Sequence, residues 1–282
     1  MASAESAYSA AVSAAYGADV KDHLKSALEH LQRAAEQGHR GAQTELAGLV
    51  GNFRLSGEIT RGKALPTGTW ERLRAAVDLA GWLSFPAGRA LCQQPRIAMV
   101  KRFLSPGLCD WLIEQAQPHL QRAQTFALDD GKAADDGART NTAAEFLPGR
   151  IDTLLSFVRA RIAGFTGMST GLLETSQVLH YSAGELFAPH YDFLDIRQPG
   201  LARQVTEHGQ RVLTLLIYLN EGYEDGETYF PKLQRGFKGR KGDALVFWNV
   251  TPDGAPDPLT LHMGSAPTRG EKWLFSQWIR MR

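Results

Sequence analysis

The chain has 282 residues, of which 43% are hydrophobic and 22% charged, so it can bury a sizeable core and is not disordered throughout. Its formal net charge is only +1, which argues against a protein that depends on phosphate contacts, so no nucleic-acid partner is expected. Two cysteines, Cys92 and Cys109, are too few for a disulfide scaffold or a cysteine-rich zinc cluster.

The N-terminus begins with an alanine-rich segment that favours a helix. This segment lacks the basic start and the compact apolar stretch of a secretory signal. No run of about 18 apolar residues, the length that spans a bilayer, follows anywhere in the chain. We therefore expect a cytoplasmic protein without a membrane partner.

Helical periodicity dominates the first third of the chain, where Leu24, Leu28 and Leu31 recur on one face. Residues 27–51 resemble a single tetratricopeptide-like repeat of the SEL type. Stacked repeats need about three units to be stable alone, so this one is expected to rely on the rest of the protein. We interpret residues 1–95 as a helical N-terminal region that acts as a structural cap or a homodimer contact, with a partner-binding surface as the alternative.

The pattern changes along the rest of the chain, residues 96–282. Residues 51–68 and 128–142 are rich in turn-forming residues and predict loops, whereas Ile151 to Ile162 form an amphipathic helical stripe. From residue 175 onward, short β-branched and aromatic runs predict strands: SQVLHYS, RVLTLLIYLN, ETYF, DALVFWN, LTLHM and KWLFSQWIRMR. Helices followed by strands predict an α+β fold with a sandwich or barrel core.

Three of the predicted strand residues form a candidate metal site. His190 and Asp192 are two residues apart, so on a strand their side chains point to the same face. His262, on a later predicted strand, supplies a second imidazole. Two histidines and one carboxylate are the ligand set of non-haem Fe(II) oxygenases, which leaves coordination positions open for other molecules. We therefore interpret His190, Asp192 and His262 as metal ligands and catalytic residues.

Lys272 lies ten residues after His262, beyond the turn GSAPTRG and on the next predicted strand. A hairpin of this length returns the lysine side chain towards the candidate metal site. A buried ammonium needs an anionic partner, because desolvating an unpaired charge is costly. A dicarboxylate co-substrate would provide that partner.

Four segments of the C-terminal half stand in this order: QVLHYSAGELFAPHYDFLD, GQRVLTLLIYLNEGYEDGETYFPKL, KGDALVFW and LTLHMGSAPTRGEKWLFSQWIR. Together they resemble the catalytic domain of the prolyl 4-hydroxylase family of Fe(II)/2-oxoglutarate dioxygenases, from about Cys109 to the C-terminus. The resemblance implies a double-stranded β-helix, or jelly roll, flanked by helices. It also implies Fe(II), 2-oxoglutarate and O2 as cofactor and co-substrates, with ascorbate as a reductant.

The resemblance assigns further site residues by position. His190, Asp192 and His262 match the family's iron ligands, and Lys272 matches the residue that pairs with the distal carboxylate of 2-oxoglutarate. Two more positions, Tyr181 and Thr228, match residues that contact this co-substrate. On the substrate side the matching positions are Arg211, Trp278 and Phe187, the last standing where family members often carry tyrosine.

The substrate has two interpretations. A single short repeat offers little surface to a long peptide, and the polar segments 128–142 and 194–210 could close over a small molecule. We therefore expect a free proline-like imino or amino acid, such as proline or pipecolate, hydroxylated in small-molecule biosynthesis. The alternative is a proline residue in a peptide or protein.

Two other classes of protein remain open at this point. A metal-dependent cupin-type isomerase or hydrolase needs the same ligand set, but it has no use for Lys272 at this spacing. A non-enzymatic scaffold, with the helical region as its binding module, does not explain why the ligand set is intact. A third alternative, a nucleic-acid demethylase, has only the basic stretch KLQRGFKGRK in its favour, and this stretch is typical of a solvated hairpin.

Overall fold

The computed structural model describes residues 3–16, 20–123, 125–126, 133–134 and 138–281. Its helices are α1 (Ala4–Ala15), α2 (Val20–Glu36), α3 (Arg40–Leu49), α4 (Phe53–Thr60), α5 (Thr69–Ala75), α6 (Leu79–Leu83), α7 (Pro106–Ala116), α8 (Thr153–Thr166) and α9 (Pro199–His208). Its strands are β1 (Arg89–Cys92), β2 (Ile97–Val100), β3 (Gln121–Arg122), β4 (Thr125–Phe126), β5 (Ala133–Ala134), β6 (Thr142–Glu145), β7 (Gln177–Tyr181), β8 (Phe187–His190), β9 (Gln210–Tyr218), β10 (Glu224–Asp225), β11 (Thr228–Phe230), β12 (Arg235–Phe237), β13 (Ala244–Trp248), β14 (His262–Gly264), β15 (Pro267–Arg269) and β16 (Lys272–Met281).

The chain forms two compact units. The helical unit comprises Met1–Phe85 and Leu147–Gly171, and the β unit comprises Pro86–Phe146 and Leu172–Arg282. The sequence places the boundary at residue 95, whereas the structure assigns β1 to the β unit because it pairs with β2 in an antiparallel hairpin. It also assigns α8 to the helical unit, although the chain reaches this helix only after β6.

The helical unit is built from short, capped helices with small residues in the core. Ala11 on α1 and Ala27, Ala34 and Ala35 on α2 are fully buried, and such small side chains let the two helices approach closely. Residues 51–68 were expected to be a loop, but they contain α4. The side chain of Asn52 caps this helix by accepting a hydrogen bond from the backbone N–H of Leu55.

A buried acidic group joins three helices of this unit. The Glu45 side chain on α3 accepts a hydrogen bond from the Tyr8 hydroxyl on α1 and another from the Thr153 backbone N–H at the start of α8. Burial and the nearby Asp152 carboxylate raise the pKa of Glu45 well above its usual range. Burial also raises the pKa of Asp152, to about 6. Both carboxyl groups, Glu45 and Asp152, are therefore weaker acids than they would be in water.

The β unit is a sandwich of two main sheets. The larger sheet has the strand order β1-β2-β13-β9-β16-β7-β6-β3, and the smaller has the order β12-β11-β14-β8. A core of large side chains from both sheets fills the space between them, for example Tyr218 and Phe247 from the larger sheet and Phe230 from the smaller. Antiparallel sheets packed in this way confirm the predicted jelly roll.

Strand register brings the chemically important side chains together. In the smaller sheet, β8 pairs with β14 so that His190 lies opposite His262. In the larger sheet, β16 pairs with β7 so that Lys272 lies opposite Tyr181. Two pairs far apart in sequence are thus fixed by backbone hydrogen bonds rather than by flexible loops.

Two polar segments, 128–142 and 194–210, were expected to close over a small molecule. The second contains a helix, and the first lies largely outside the described residues. Within 194–210 the chain forms α9, which begins with a proline in its first turn. Of 128–142, residues 128–132 and 135–137 lie outside the described part of the chain, and Thr142 begins β6. Among the described residues, no helix combines the length and apolarity needed to cross a membrane.

Candidate active site and metal centre

Two imidazoles and one carboxylate converge at one end of the smaller sheet. His190 ends β8, Asp192 follows two residues later, and His262 begins β14. Potential ligand atoms of the three side chains all lie within 4.8 Å of one another. The distance from Asp192 to the imidazole Nε2 atom is 3.6 Å for His190 and 3.5 Å for His262. The spacing fits three ligands of a single metal ion.

Both histidines are held in the tautomer that a metal requires. The Nδ1 atom of His190 lies 2.8 Å from the carbonyl of Ala188, and that of His262 lies 3.0 Å from the carbonyl of Thr260. A carbonyl only accepts, so each Nδ1 carries the proton and each Nε2 keeps its lone pair for the site. Burial and the neighbouring His262 lower the pKa of His190 to about 3, so its imidazole is neutral.

Asp192 is buried and anionic. Burial alone would raise its pKa, but His262, His190 and a hydrogen bond from Thr214 together lower it below its usual range. The Thr214 hydroxyl donates that bond to Oδ2 over 2.7 Å. Two imidazoles with fixed tautomers and one fixed carboxylate match the facial ligand set of non-haem Fe(II) enzymes.

A cavity extends from these three residues between the sheets. Lys272 lines its wall and is fully buried, and Nζ has no hydrogen-bond partner among the described residues. Burial lowers the pKa of Lys272 from 10.5 to about 7, although Glu227 acts in the opposite direction. The hydroxyl of Thr228 also lines the cavity and interacts with the Tyr218 phenol, where it partly offsets the rise in pKa that burial causes. A buried ammonium and a hydroxyl in one wall fit an anionic ligand.

Tyr181 completes this wall. Its ring lies beneath the Lys272 ammonium, 4.8 Å from Nζ to the ring centroid. Burial raises the pKa of Tyr181 to about 12, so the phenol keeps its proton. A Cβ atom at Gly264 would come within 3.0 Å of the phenol oxygen, so the glycine gives Tyr181 the room it occupies. The three residues predicted to contact the co-substrate therefore lie together.

Two of the three predicted substrate residues line the same cavity. The Phe187 ring stacks on the His190 imidazole, with 3.6 Å between centroids. Trp278 lies on the cavity wall, and its indole N–H is buried without a hydrogen-bond partner. An aromatic wall next to the metal ligands suits an apolar ring.

Arg211 lies elsewhere. Its guanidinium forms a two-pronged ion pair with Glu174, with N–O distances of 2.6 and 2.8 Å, and is not part of the cavity lining. It stacks on Trp278, 3.8 Å from the ring centroid. In this structure Arg211 therefore supports the indole and does not itself line the cavity.

Comparison with known proteins decides the family. Residues 176–280 match the 2OG-Fe(II) oxygenase superfamily. Probable prolyl 4-hydroxylase 10 of Arabidopsis thaliana is 34% identical over 208 residues, which cover 67% of this chain and 70% of that protein. This chain belongs to the prolyl 4-hydroxylase family. Probable prolyl 4-hydroxylase 3 of the same plant is likewise 34% identical, over 68% of this chain and 71% of its own length.

A solved structure of this family agrees. The viral collagen prolyl hydroxylase from Paramecium Bursaria Chlorella virus-1, determined as a 2OG complex, is 27% identical with a TM-score of 0.51. The alignment covers 68% of this chain and 99% of the viral one. As a member of the prolyl 4-hydroxylase family, this protein is a dioxygenase that uses Fe(II), 2-oxoglutarate and O2. A cupin-type hydrolase or isomerase and a non-enzymatic scaffold are therefore excluded.

Among the cavity-lining residues that the sequence interpretation missed, Arg139 carries a charged side chain. This arginine is 8% exposed, lines the cavity, and places its guanidinium 4.6 Å from the centroid of the Phe187 ring. Its Nε donates a hydrogen bond to the Asn141 side chain. Arg139 comes from the polar stretch 128–142, where neither periodicity nor a motif marks a buried residue. In the sequence it stands three residues after the acidic pair Asp135 and Asp136, a pattern that marks no site.

Proposed function

We propose that this prolyl 4-hydroxylase family member hydroxylates proline residues within a peptide or protein. The observation that carries the proposal is the similarity to named prolyl 4-hydroxylases, together with a viral relative described as a collagen prolyl hydroxylase. These relatives favour the peptidyl alternative over the free imino acid that the sequence led us to expect. The aromatic wall formed by Phe187 and Trp278 also supports a proline ring as the reacting group.

His190, Asp192 and His262 would hold Fe(II). When bound, this ion lets O2 oxidise 2-oxoglutarate to succinate and CO2 while one oxygen atom becomes the hydroxyl group on the substrate carbon. The protein contributes two imidazoles with fixed tautomers and a carboxylate fixed by Thr214.

Lys272 and Thr228 would hold the distal carboxylate of 2-oxoglutarate. Both are buried and both line the cavity that begins at the metal ligands, and within the described part of the chain Lys272 Nζ has no hydrogen-bond partner. The ammonium supplies the charge and the hydroxyl a directed hydrogen bond. Tyr181, a neutral phenol below the ammonium, would fix the position of the lysine.

Trp278 and Phe187 would flank the substrate proline. The unpartnered indole N–H of Trp278 offers a donor to a carbonyl of the substrate backbone. Arg211, held by Glu174, would keep the indole plane in place rather than bind substrate itself. Phe187 lacks the hydroxyl of a tyrosine, so any polar contact with substrate has to come from other residues.

Succinate release and product mass test this proposal. Purified protein is incubated with Fe(II), 2-oxoglutarate and ascorbate, and in turn with free proline, pipecolate and a proline-rich peptide. We expect substrate-dependent succinate and the gain of one oxygen atom only with the peptide. His190→Ala serves as the control and should be inactive, because one of the three metal ligands is lost. Turnover of free proline or pipecolate without turnover of the peptide would contradict the proposal.

A further inference from the structure

A buried hydrogen-bond relay leads to the Asp192 carboxylate. Asn249 Nδ2 donates to Thr214 Oγ1 over 2.9 Å, and Thr214 Oγ1 donates to Asp192 Oδ2 over 2.7 Å. Asn249 and Thr214 are both fully buried. Asn249 directly follows β13 and Thr214 lies within β9, so both are held by the larger sheet.

The direction of each bond in the relay is fixed by chemistry. The ionised Asp192 carboxylate can only accept, so the single hydroxyl proton of Thr214 points at it. The oxygen of Thr214 is then an acceptor towards Asn249, whose amide must present its N–H₂ group. The Asn249 Oδ1 atom is consequently buried and finds no hydrogen-bond partner in the described part of the chain. An unsatisfied buried oxygen is unfavourable, so the residue is poorly explained by stability alone.

The backbone of Asn249 leads to a second metal ligand. Its carbonyl accepts a hydrogen bond from the Asp257 N–H over 2.9 Å. The Asp257 carbonyl accepts from both the N–H and the hydroxyl of Thr260, at 3.1 and 2.6 Å. The Thr260 carbonyl in turn accepts from His262 Nδ1. Asn249 is therefore connected by hydrogen bonds to the groups that hold both Asp192 and His262.

We propose that Asn249 is a positioning residue of the metal centre. Through Thr214 its side chain orients the Asp192 carboxylate, and through its carbonyl it anchors the segment that presents His262. Asn249 directly follows the segment KGDALVFW and is not among the described residues that line the cavity. This role of Asn249 involves only the metal ligands, so it does not depend on which substrate is hydroxylated. Groups that orient metal ligands in this way typically contribute about 10- to 100-fold to metal affinity.

Cobalt(II) binding without oxygen, 2-oxoglutarate or substrate tests the proposal. Affinity and ligand geometry are both followed by the visible d–d absorption of Co(II) during titration. Thr214→Val and Asn249→Leu remove the relay while conserving side-chain shape, and each should weaken Co(II) binding about 10- to 100-fold and alter the absorption bands. Thr214→Ser restores the hydroxyl and should restore wild-type affinity and spectrum.

A matched control removes a buried hydrogen bond elsewhere in the β unit. The Ser176 hydroxyl donates to the Gln277 side chain, and Ser176→Ala should leave Co(II) binding unchanged. Thermal unfolding of every variant separates a loss of fold from a loss of positioning, and Asn249→Ala replaces the leucine variant if that one does not fold. Asn249→Leu should not lower the melting temperature by itself, because it also removes the unsatisfied oxygen.

The double variant tests whether the two side chains act in series. If Asn249 acts on Asp192 through Thr214, adding Asn249→Leu to Thr214→Val should cause no further loss of affinity. Additive losses, or wild-type Co(II) affinity and spectrum in both folded single variants, would overturn the proposal.

Discussion

Lys272 connects the affinity for 2-oxoglutarate to pH. Before the co-substrate binds, burial lowers the pKa of this lysine from 10.5 to about 7. At about 1.36 kcal/mol for each pKa unit, burial favours the neutral amine by roughly 5 kcal/mol relative to a lysine in water. A carboxylate beside Nζ favours the ammonium again, so the pKa of Lys272 should rise well above 7 in the complex.

The sign of the pH dependence follows from this difference. Well below pH 7 the lysine is already charged and binding needs no further proton, whereas near pH 7 binding takes up a fraction of a proton. Well above pH 7 the amine is neutral, so binding takes up a full proton and the affinity falls as the pH rises. With a pKa of about 7, the dissociation constant for 2-oxoglutarate should increase about 25-fold between about pH 6.5 and about pH 8.5.

Calorimetry measures both the affinity for 2-oxoglutarate and the number of protons taken up on binding. The Mn(II)-loaded protein is titrated with 2-oxoglutarate without O2, at both pH values and in two buffers with different ionisation enthalpies. We expect uptake of about one proton at the higher pH and about a quarter of a proton at the lower. In Lys272→Arg the guanidinium stays charged across this range, so the pH dependence should disappear. Equal wild-type affinities at both pH values without proton uptake would refute the reasoning.

Three further predictions concern single side chains. Thr228→Val should weaken 2-oxoglutarate binding about tenfold in the same titration, because the charge-assisted hydrogen bond is lost while the shape is kept; unchanged affinity would argue against a contact at this hydroxyl. Arg211→Gln removes the guanidinium that supports Trp278, so the KM for a prolyl peptide should rise while 2-oxoglutarate affinity stays the same; a change in the latter alone would show that the arginine acts elsewhere. Because the pKa of Glu45 is raised in the folded state, the folded protein binds more protons than the unfolded chain above about pH 4.5. The free energy of unfolding of the wild-type protein should therefore fall as the pH rises, by up to about 1.4 kcal/mol per pH unit. Urea unfolding should show a flatter pH profile for Glu45→Gln, and identical profiles would contradict the assignment.

The candidate metal ligands could be predicted from their residue types, because two histidines and one carboxylate are a known ligand set. Strand periodicity paired His190 with Asp192, but β8 ends at His190 and Asp192 lies beyond the strand, so that rule does not explain why the two side chains meet. The position of Lys272 followed from the length of one hairpin. That position depends on local geometry, which the sequence encodes directly.

Features that depend on long-range partners were not predictable in the same way. The pairing of Arg211 with Glu174 joins positions 37 residues apart, and a long side chain can reach either the cavity or a carboxylate. Arg139 is buried within a stretch whose composition is that of a loop. Glycines in 51–68 masked α4, whose start depends on the cap formed by Asn52. In each case contacts between residues far apart in sequence determine the local structure, and no short sequence pattern indicates those contacts.

The course of the chain also decides how this protein can be dissected. Because α8 belongs to the helical unit but lies between β6 and β7 in the chain, the backbone passes from one unit to the other three times. The first 85 residues are consequently not a removable appendage. In a fragment that starts at residue 86, the apolar side chains of α8 would be exposed, because α1, α3 and α6, against which this helix packs, are missing. We expect such a fragment to aggregate rather than to fold into a shorter enzyme.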